Sequence, residues 1–266
     1  MAIIDEKHDN PSLSTRKGVA TADNAAEATA AEELSPELIA SVMREYAGGL
    51  ELTEEQIQKF IIYYDMLVER NRVVNLTRIT GPRDAAEKHF ADSVLGSSLI
   101  KQGARVVDVG TGAGFPGIPL AIVRPDIRLV LVDSLGKRVN FLREVCERLG
   151  IAAEAIHARA EDAARAEGLR GGFDCAVSRA VAPMNVLLEL TSPFVKVGGV
   201  SLMYKGSAAR EELSCCENAL SVLHCRASLT DFDVPWGARR IVSAEKLAQT
   251  PARFPRKAGS IEKAPL

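Results

Sequence analysis

The chain has 266 residues, 47% of them hydrophobic, enough to fill one large core or two small ones. Its formal charge of −2 marks no strongly basic nucleic-acid coat, and no run reaches the ~18–20 consecutive apolar residues that a membrane span needs. The opening "MAIIDEKHDNPS" lacks a basic segment leading into an apolar stretch, and Cys146, Cys175, Cys215, Cys216 and Cys225 contain no C-x-x-C, so a cytoplasmic protein with reduced, structural thiols and no metal site is expected.

The first 35 residues hold seven acids against three bases, which leaves the rest of the chain mildly basic. Residues 1–34 have few large apolar side chains and bury too little surface to offset their ordering entropy, so a disordered acidic tail is predicted. Order is predicted to begin at Ser35-Pro36, a helix cap followed by proline in the first turn, leading into "ELIASVMREYA". A second helix opens at "TEEQ", where Thr53 and Gln56 make a capping box and Ile57, Phe60, Ile61, Tyr64, Leu67 and Val68 recur at helical spacing. A third is predicted over 82–100, "PRDAAEKHFADSVLGSSLI". Residues 35–100 thus read as a small N-terminal helical unit.

From residue 104 short apolar runs alternate with amphipathic segments. Strands are predicted at "ARVVDVG", "IRLVLVD", "AAEAIHA", "FDCAVSRA" and "GGVSLMYKG", separated by helices at "PGIPLAIVR", "GKRVNFLREVCERLG", "EDAARAEG" and "PMNVLLELTSPFV". Such alternation builds a doubly wound parallel sheet, each crossover returning over one face. A last helix, "AAREELSCCENALSVL", precedes "RASLTDFDV" and "ARRIVSAEK", whose "PWG" link is short enough for an antiparallel hairpin with Trp236 as its anchor. Residues 101–266 are therefore read as one Rossmann-like α/β domain with a basic C-terminal segment, in which Arg239, Arg240, Lys246, Arg253, Arg256, Lys257 and Lys263 face only Glu245 and Glu262. Such a segment suits an anionic partner or a solvated surface equally well.

The turn after the first predicted strand, "DVGTGAGFPGIPLA" (108–121), contains a literal G-x-G-x-x-G from Gly112 to Gly117. A dinucleotide enzyme uses such a turn to bring a pyrophosphate against free amides at a helix N-terminus. Pro116 and Pro119 remove donors from that place, and Asp108 adds a carboxylate beside it. A cation without phosphates reverses these preferences, and the fuller pattern Asp108-x-Gly110-x-Gly112-x-Gly114 is the turn that ends the first strand of class I S-adenosylmethionine-dependent methyltransferases. Asp133, closing the second strand beside Ser134, can accept both ribose hydroxyls of either ligand. Ala160-Glu161 follow the third strand, where adenine contacts are expected in such folds.

Residues from about 50 to 266 resemble the bacterial 16S rRNA guanine-N7 methyltransferase family, also called glucose-inhibited division protein B. The resemblance rests on "GFPGIPLAI" and "DSLGKR", and further on "NLT" at 75–77, "KHFADS" at 88–93, "FDCAVSRA", "YKG" at 204–206 and the ending "RFPRKAGSIEKAPL". Lys88 stands where an arginine is more usual, and the acidic tail has no counterpart. The resemblance implies cofactor contacts at Gly110, Phe115, Ala160, Glu161 and Arg179. It also implies methyl transfer to N7 of one guanine of 16S rRNA, position 527 in that RNA's own numbering.

Guanine N7 offers an in-plane lone pair and no proton, so catalysis by positioning is expected, without a named catalytic residue. "SRAVAP" stands where amino-directed methyltransferases carry an N/D-P-P-Y/F motif. Candidate RNA contacts are Lys137, Arg138, Arg179, Lys205, Arg253, Arg256 and Lys257, each equally readable as a solvated cation. His89 and Asp92 read as a structural pair on one helix or as substrate contacts. An NAD(P)-dependent oxidoreductase and a non-catalytic RNA-binding protein with a vestigial cofactor cleft remain the alternatives. The partner expected is 16S rRNA, free or in the small subunit or its precursor, with a monomer as the default.

Overall fold

A computed structural model describes residues 34–266. The predicted acidic tail lies, except for Leu34, outside them. The first helix, α1 (Pro36–Tyr46), starts as its cap predicts, with Ser35 Oγ accepting from Leu38 N at 3.1 Å. In α2 (Glu54–Val74) both bonds of the Thr53–Gln56 capping box are made, and Asn75 ends the helix in a left-handed conformation.

The predicted third helix takes a different form. Pro82–Asp84 is α-helical, Ala85–Ala91 is a π-helix, Asp92–Val94 is α-helical again, and a 3₁₀ turn covers Ser97–Leu99. Two of its carbonyls accept from side chains: Arg179 Nη1 donates to Lys88 O at 3.0 Å, and Ser93 Oγ donates to His89 O at 2.5 Å. Such single π-turns inside α-helices are frequent at functional sites.

Seven strands form one sheet: β1 (Arg105–Val109), β2 (Arg128–Asp133), β3 (Ala153–His157), β4 (Phe173–Arg179), β5 (Val195–Lys205), β6 (Cys225–Phe232) and β7 (Arg239–Lys246), in the order β3-β2-β1-β4-β5-β7-β6. The first five run parallel, and β7 lies antiparallel between β5 and β6. The predicted hairpin is therefore present, with its second strand inserted against β5. Two predicted helices are shorter: "EDAARAEG" keeps only Ala160–Ala163, and the helix before the hairpin breaks at Cys215-Cys216 into Ala209–Ser214 and Glu217–Val222. At the break Cys216 N turns to Leu213 O, three residues back, and its thiol bonds to Glu212 O.

The N-terminal helices share the sheet's core: Ile39, Phe60 and Tyr63 belong to one buried cluster with Val106, Ile118 and Leu131. Strand order reverses between β1 and β4, and ligands of open α/β sheets sit outside the carboxyl ends of the strands at such a switch. That edge carries Asp133, His157, Arg179 and Lys205 at the ends of β2 to β5, with Arg240 of β7 paired in register with Lys205.

Candidate active site

The glycine turn folds back on β2, with Gly110 N and Thr111 N both donating to Val132 O. Asp133 fixes the turn from the other side, taking Gly112 N on Oδ2 and Leu135 N on Oδ1, each at 2.9 Å. Gly110 has φ +71°, and a Cβ there would meet Val181 Cγ2 at 2.7 Å, so only glycine fits between the turn and the loop after β4. Gly114 has a different reason: its Cβ would stand 2.6 Å from the Tyr63 hydroxyl, which donates to Ala113 O at 2.6 Å and ties α2 to the turn.

Asp108 lies behind the turn with 0% exposure. Its Oδ2 accepts from Thr111 Oγ1 at 2.7 Å and from Gly117 N at 2.8 Å, while Oδ1 has no hydrogen-bond partner among the described residues. Burial raises its pKa to about 7, against the pull of those two donors. The carboxylate thus occupies an amide at the start of helix Gly117–Val123, one that a pyrophosphate would need.

In front of the turn a cavity of about 500 Å³ opens between the loops after β1, β2, β3 and β4. Gly110, Asp133, Ser134, Ala160 and Glu161 all line it, and Arg138 stands at its edge with a guanidinium nitrogen 3.7 Å from Asp133. Val181, Ala182, Pro183, Val186 and Leu190 form an apolar side. Glu161 is held by Arg159, Nε to Oε1 at 2.9 Å. Five of the ten predicted cofactor residues thus converge here, while Asp108, Gly112, Gly114, Phe115 and Arg179 stand outside the lining.

Phe115 and Arg179 belong to a second cavity of about 390 Å³, or to the layer beneath it. His89 stacks on Phe115 with centroids 4.3 Å apart, and the Arg179 guanidinium lies 5.0 Å from the same ring. Asp92, 5% exposed, is the centre of this region: Oδ2 takes Arg179 Nη1 at 2.9 Å, and Oδ1 takes Arg239 Nε at 2.5 Å and Trp236 Nε1 at 3.2 Å. Trp236 also meets Tyr46 edge-on at 5.2 Å, so the predicted hairpin anchor reaches α1. Burial, then the charge of Arg179, lowers His89 to about 3, and its ring nitrogens sit against Thr77 Oγ1 at 2.9 Å and Arg179 Nη2 at 3.4 Å. The imidazole is neutral near pH 7 and held on both sides.

The two cavities share Ala180, a left-handed residue with φ +56°. Lys88, Lys205, Arg239 and Arg240 also line the second cavity, each paired with a carboxylate, of Asp84, Glu212, Asp92 and Asp231 respectively. Lys205 donates to Glu212 Oε2 at 2.7 Å and to Ala182 O at 2.8 Å, which steadies the shared loop. Among the other predicted RNA contacts, Lys137, Arg253 and Lys257 are exposed. The Arg256 guanidinium turns inward to Glu189. Asp92, Arg239 and Trp236 as a joined group escaped the sequence reading, because their partners lie far apart along the chain.

The reversed β7, the glycine turn at the switch and the acid ending β2 define the class I methyltransferase fold. In the cofactor-bound structure of Rv0187 from MTB the likeness reaches a TM-score of 0.52 at 19% identity, over 79% of this chain and 96% of that one. The family model for GidB, rRNA small subunit methyltransferase G, matches residues 56–234. Ribosomal RNA small subunit methyltransferase G of Desulfitobacterium hafniense (strain Y51) is 48% identical over 222 residues, 82% of this chain and 92% of the relative. The same-named protein of Clostridium botulinum (strain Alaska E43 / Type E3) is 45% identical over 227 residues, 82% of this chain and 94% of the relative. The chain belongs to the rRNA small subunit methyltransferase G family, and it is a methyltransferase.

Proposed function

We propose that this protein transfers the methyl group of S-adenosylmethionine to N7 of one guanine of 16S rRNA, position 527 of that RNA, acting as a monomer in the cytoplasm. The observation that carries the reading is the pair of cavities meeting at Ala180, one bounded by the Asp133 carboxylate and an apolar side, the other lined by Lys and Arg side chains held in ion pairs. Among the described residues no helix is long and apolar enough to cross a membrane.

The first cavity fits the cofactor. Its volume lies within the usual range for small-molecule sites. The Asp133 carboxylate accepts one backbone amide on each oxygen and keeps further lone pairs for ribose hydroxyls. The apolar side formed by Pro183, Val186 and Leu190 suits a flat base, and the turn at Gly110 lines the same cavity. Asp108 acts as a positioning residue here, through Thr111 and Gly117, and its bond to Gly117 opposes the dinucleotide alternative.

When bound, S-adenosylmethionine supplies a methyl group on positively charged sulfur. Guanine N7 has no proton to lose, so this chain needs no general base, in keeping with a neutral His89 whose nitrogens are both engaged. The residues' task is to hold N7 in line with the methyl group. Exposed Lys137 and Lys257, outside the second cavity, are placed to neutralise RNA phosphates, whereas Lys205 and Arg240 within it are paired with Glu212 and Asp231.

The test is methyl transfer from labelled cofactor to 16S RNA, offered naked, in 30S subunits and in assembly intermediates lacking the modification. N7-methylguanosine at position 527 is the expected product. Its absence from all three substrates overturns the assignment, and tight NAD binding without S-adenosylmethionine binding redirects it.

A further inference from the structure

The cofactor cavity has a wall that comes from the far end of the chain. Glu262 and Pro265 line it beside Val186 and Leu190, although both lie beyond the family-matched span of 56–234. The tail is anchored rather than draped. Glu189, on helix Met184–Thr191 and fully buried, takes Arg256 N at 2.7 Å, Arg256 Nε at 2.9 Å and Arg256 Nη2 at 2.6 Å. Arg256 Nη1 then reaches Ala264 O at 2.9 Å and folds the end back on itself, while Ile261 is buried in helix Ala258–Lys263. The same helix Met184–Thr191 thus carries both the anchor and part of the apolar side of the cavity.

The tail closes on a particular end of the site. Glu262 and Pro265 line the same cavity as Arg159, Ala160 and Glu161 of the loop after β3, and Arg159 bonds Glu161 there. An adenine ring presents flat apolar faces and an exocyclic amine that donates hydrogen bonds. Pro265 offers an apolar cover and Glu262 an acceptor at the end where such a ring is expected.

We propose that residues 256–266 form the outer wall of the adenosine end of the cofactor cavity, with Glu262 and Pro265 as determinants of cofactor affinity. This rests on the S-adenosylmethionine reading given above. A wall of this kind raises affinity by enclosing ligand surface that would otherwise face water. It affects methyl donor and demethylated product alike, and leaves RNA binding unchanged.

Calorimetric titration with S-adenosylhomocysteine is to be carried out on the intact chain, on a chain ending at Lys257, and on Glu262→Gln. The shortened chain is expected to bind at least tenfold more weakly, and Glu262→Gln about threefold, while the affinity of each for a 16S rRNA fragment stays within twofold. In the intact chain, amide hydrogen exchange over 258–263 is expected to slow when S-adenosylhomocysteine is added. Equal cofactor affinity in a shortened chain that keeps its far-ultraviolet dichroism overturns the proposal. Should shortening unfold the protein, unchanged affinity of Glu262→Gln together with unchanged exchange overturns it. Failure of the intact chain itself to bind S-adenosylhomocysteine overturns the cofactor reading, a result distinct from equal binding by all three.

Discussion

The two cavities on either side of Ala180 are built by different means. The first is made of backbone turns and largely small or apolar side chains at strand ends, with the carboxylate of Asp133 held by neighbouring amides and those of Glu161 and Glu262 at the far side. The second rests on three long side chains that meet at Asp92, Arg179 from the end of β4 and Trp236 and Arg239 from the β6–β7 hairpin. A site made of local turns tolerates loss of one contact as a local event. A site centred on a buried carboxylate between two guanidiniums fails as a unit, because removing the carboxylate leaves uncompensated charges.

That contrast is sharpest in Asp92→Ala, which is expected to lower unfolding stability by about 3–5 kcal/mol in denaturant titration. A loss below about 1 kcal/mol would mean that solvent relieves Arg179 and Arg239 and that the web is not a unit.

Asp108 ranks next, and its effect is read through pH. Its folded pKa is raised, so the proton is held more tightly in the folded state than in the unfolded chain. The stability this gives is complete below the ordinary carboxylate pKa and is lost as pH rises through about 7. Relative to Asp108→Asn, the natural protein should therefore lose about 2–3 kcal/mol between pH 5 and pH 8. Parallel pH profiles for the two proteins would remove Asp108 as the cause.

In the first cavity, Asp133→Ala should weaken S-adenosylhomocysteine binding by about ten- to a hundredfold, or roughly 1.4–2.8 kcal/mol. The fold should survive, and circular dichroism with calorimetry separates the two effects. A variant that unfolds instead would make the first cavity resemble the second. The smallest change is expected at the rim: Lys137→Ala should lower the slope of log affinity for 16S RNA against log salt by about 1, with only a few-fold loss of affinity. An unchanged slope would remove Lys137 from the RNA interface.

The same contrast explains what could be read in the sequence. The capping box of α2, the alternation of strands and helices, the glycine turn and Asp133 follow local periods and spacings, and the structure shows these elements at their predicted places. Asp92 binds Arg179 and Arg239 across 87 and 147 residues, and no spacing rule links groups that only the folded sheet brings together. The π-helix is equally hidden, and it carries a bond to a guanidinium 91 residues away at the end of β4. Asp108 was legible as a motif but not as a buried group: the pattern of glycines says nothing about which side of the turn its carboxylate faces.

Ala180 gives the pair of cavities a thermodynamic consequence. It is a wall of both, held in a left-handed conformation next to the Val181 that covers Gly110. It cannot shift to admit one ligand without reshaping the chamber offered to the other. If, as proposed above, the cofactor takes the first cavity and RNA the second, any such shift ties the two binding equilibria together, and linkage then requires that they change each other's affinity by the same factor. The order in which they arrive is free, but the strength of that coupling is a single number for the protein.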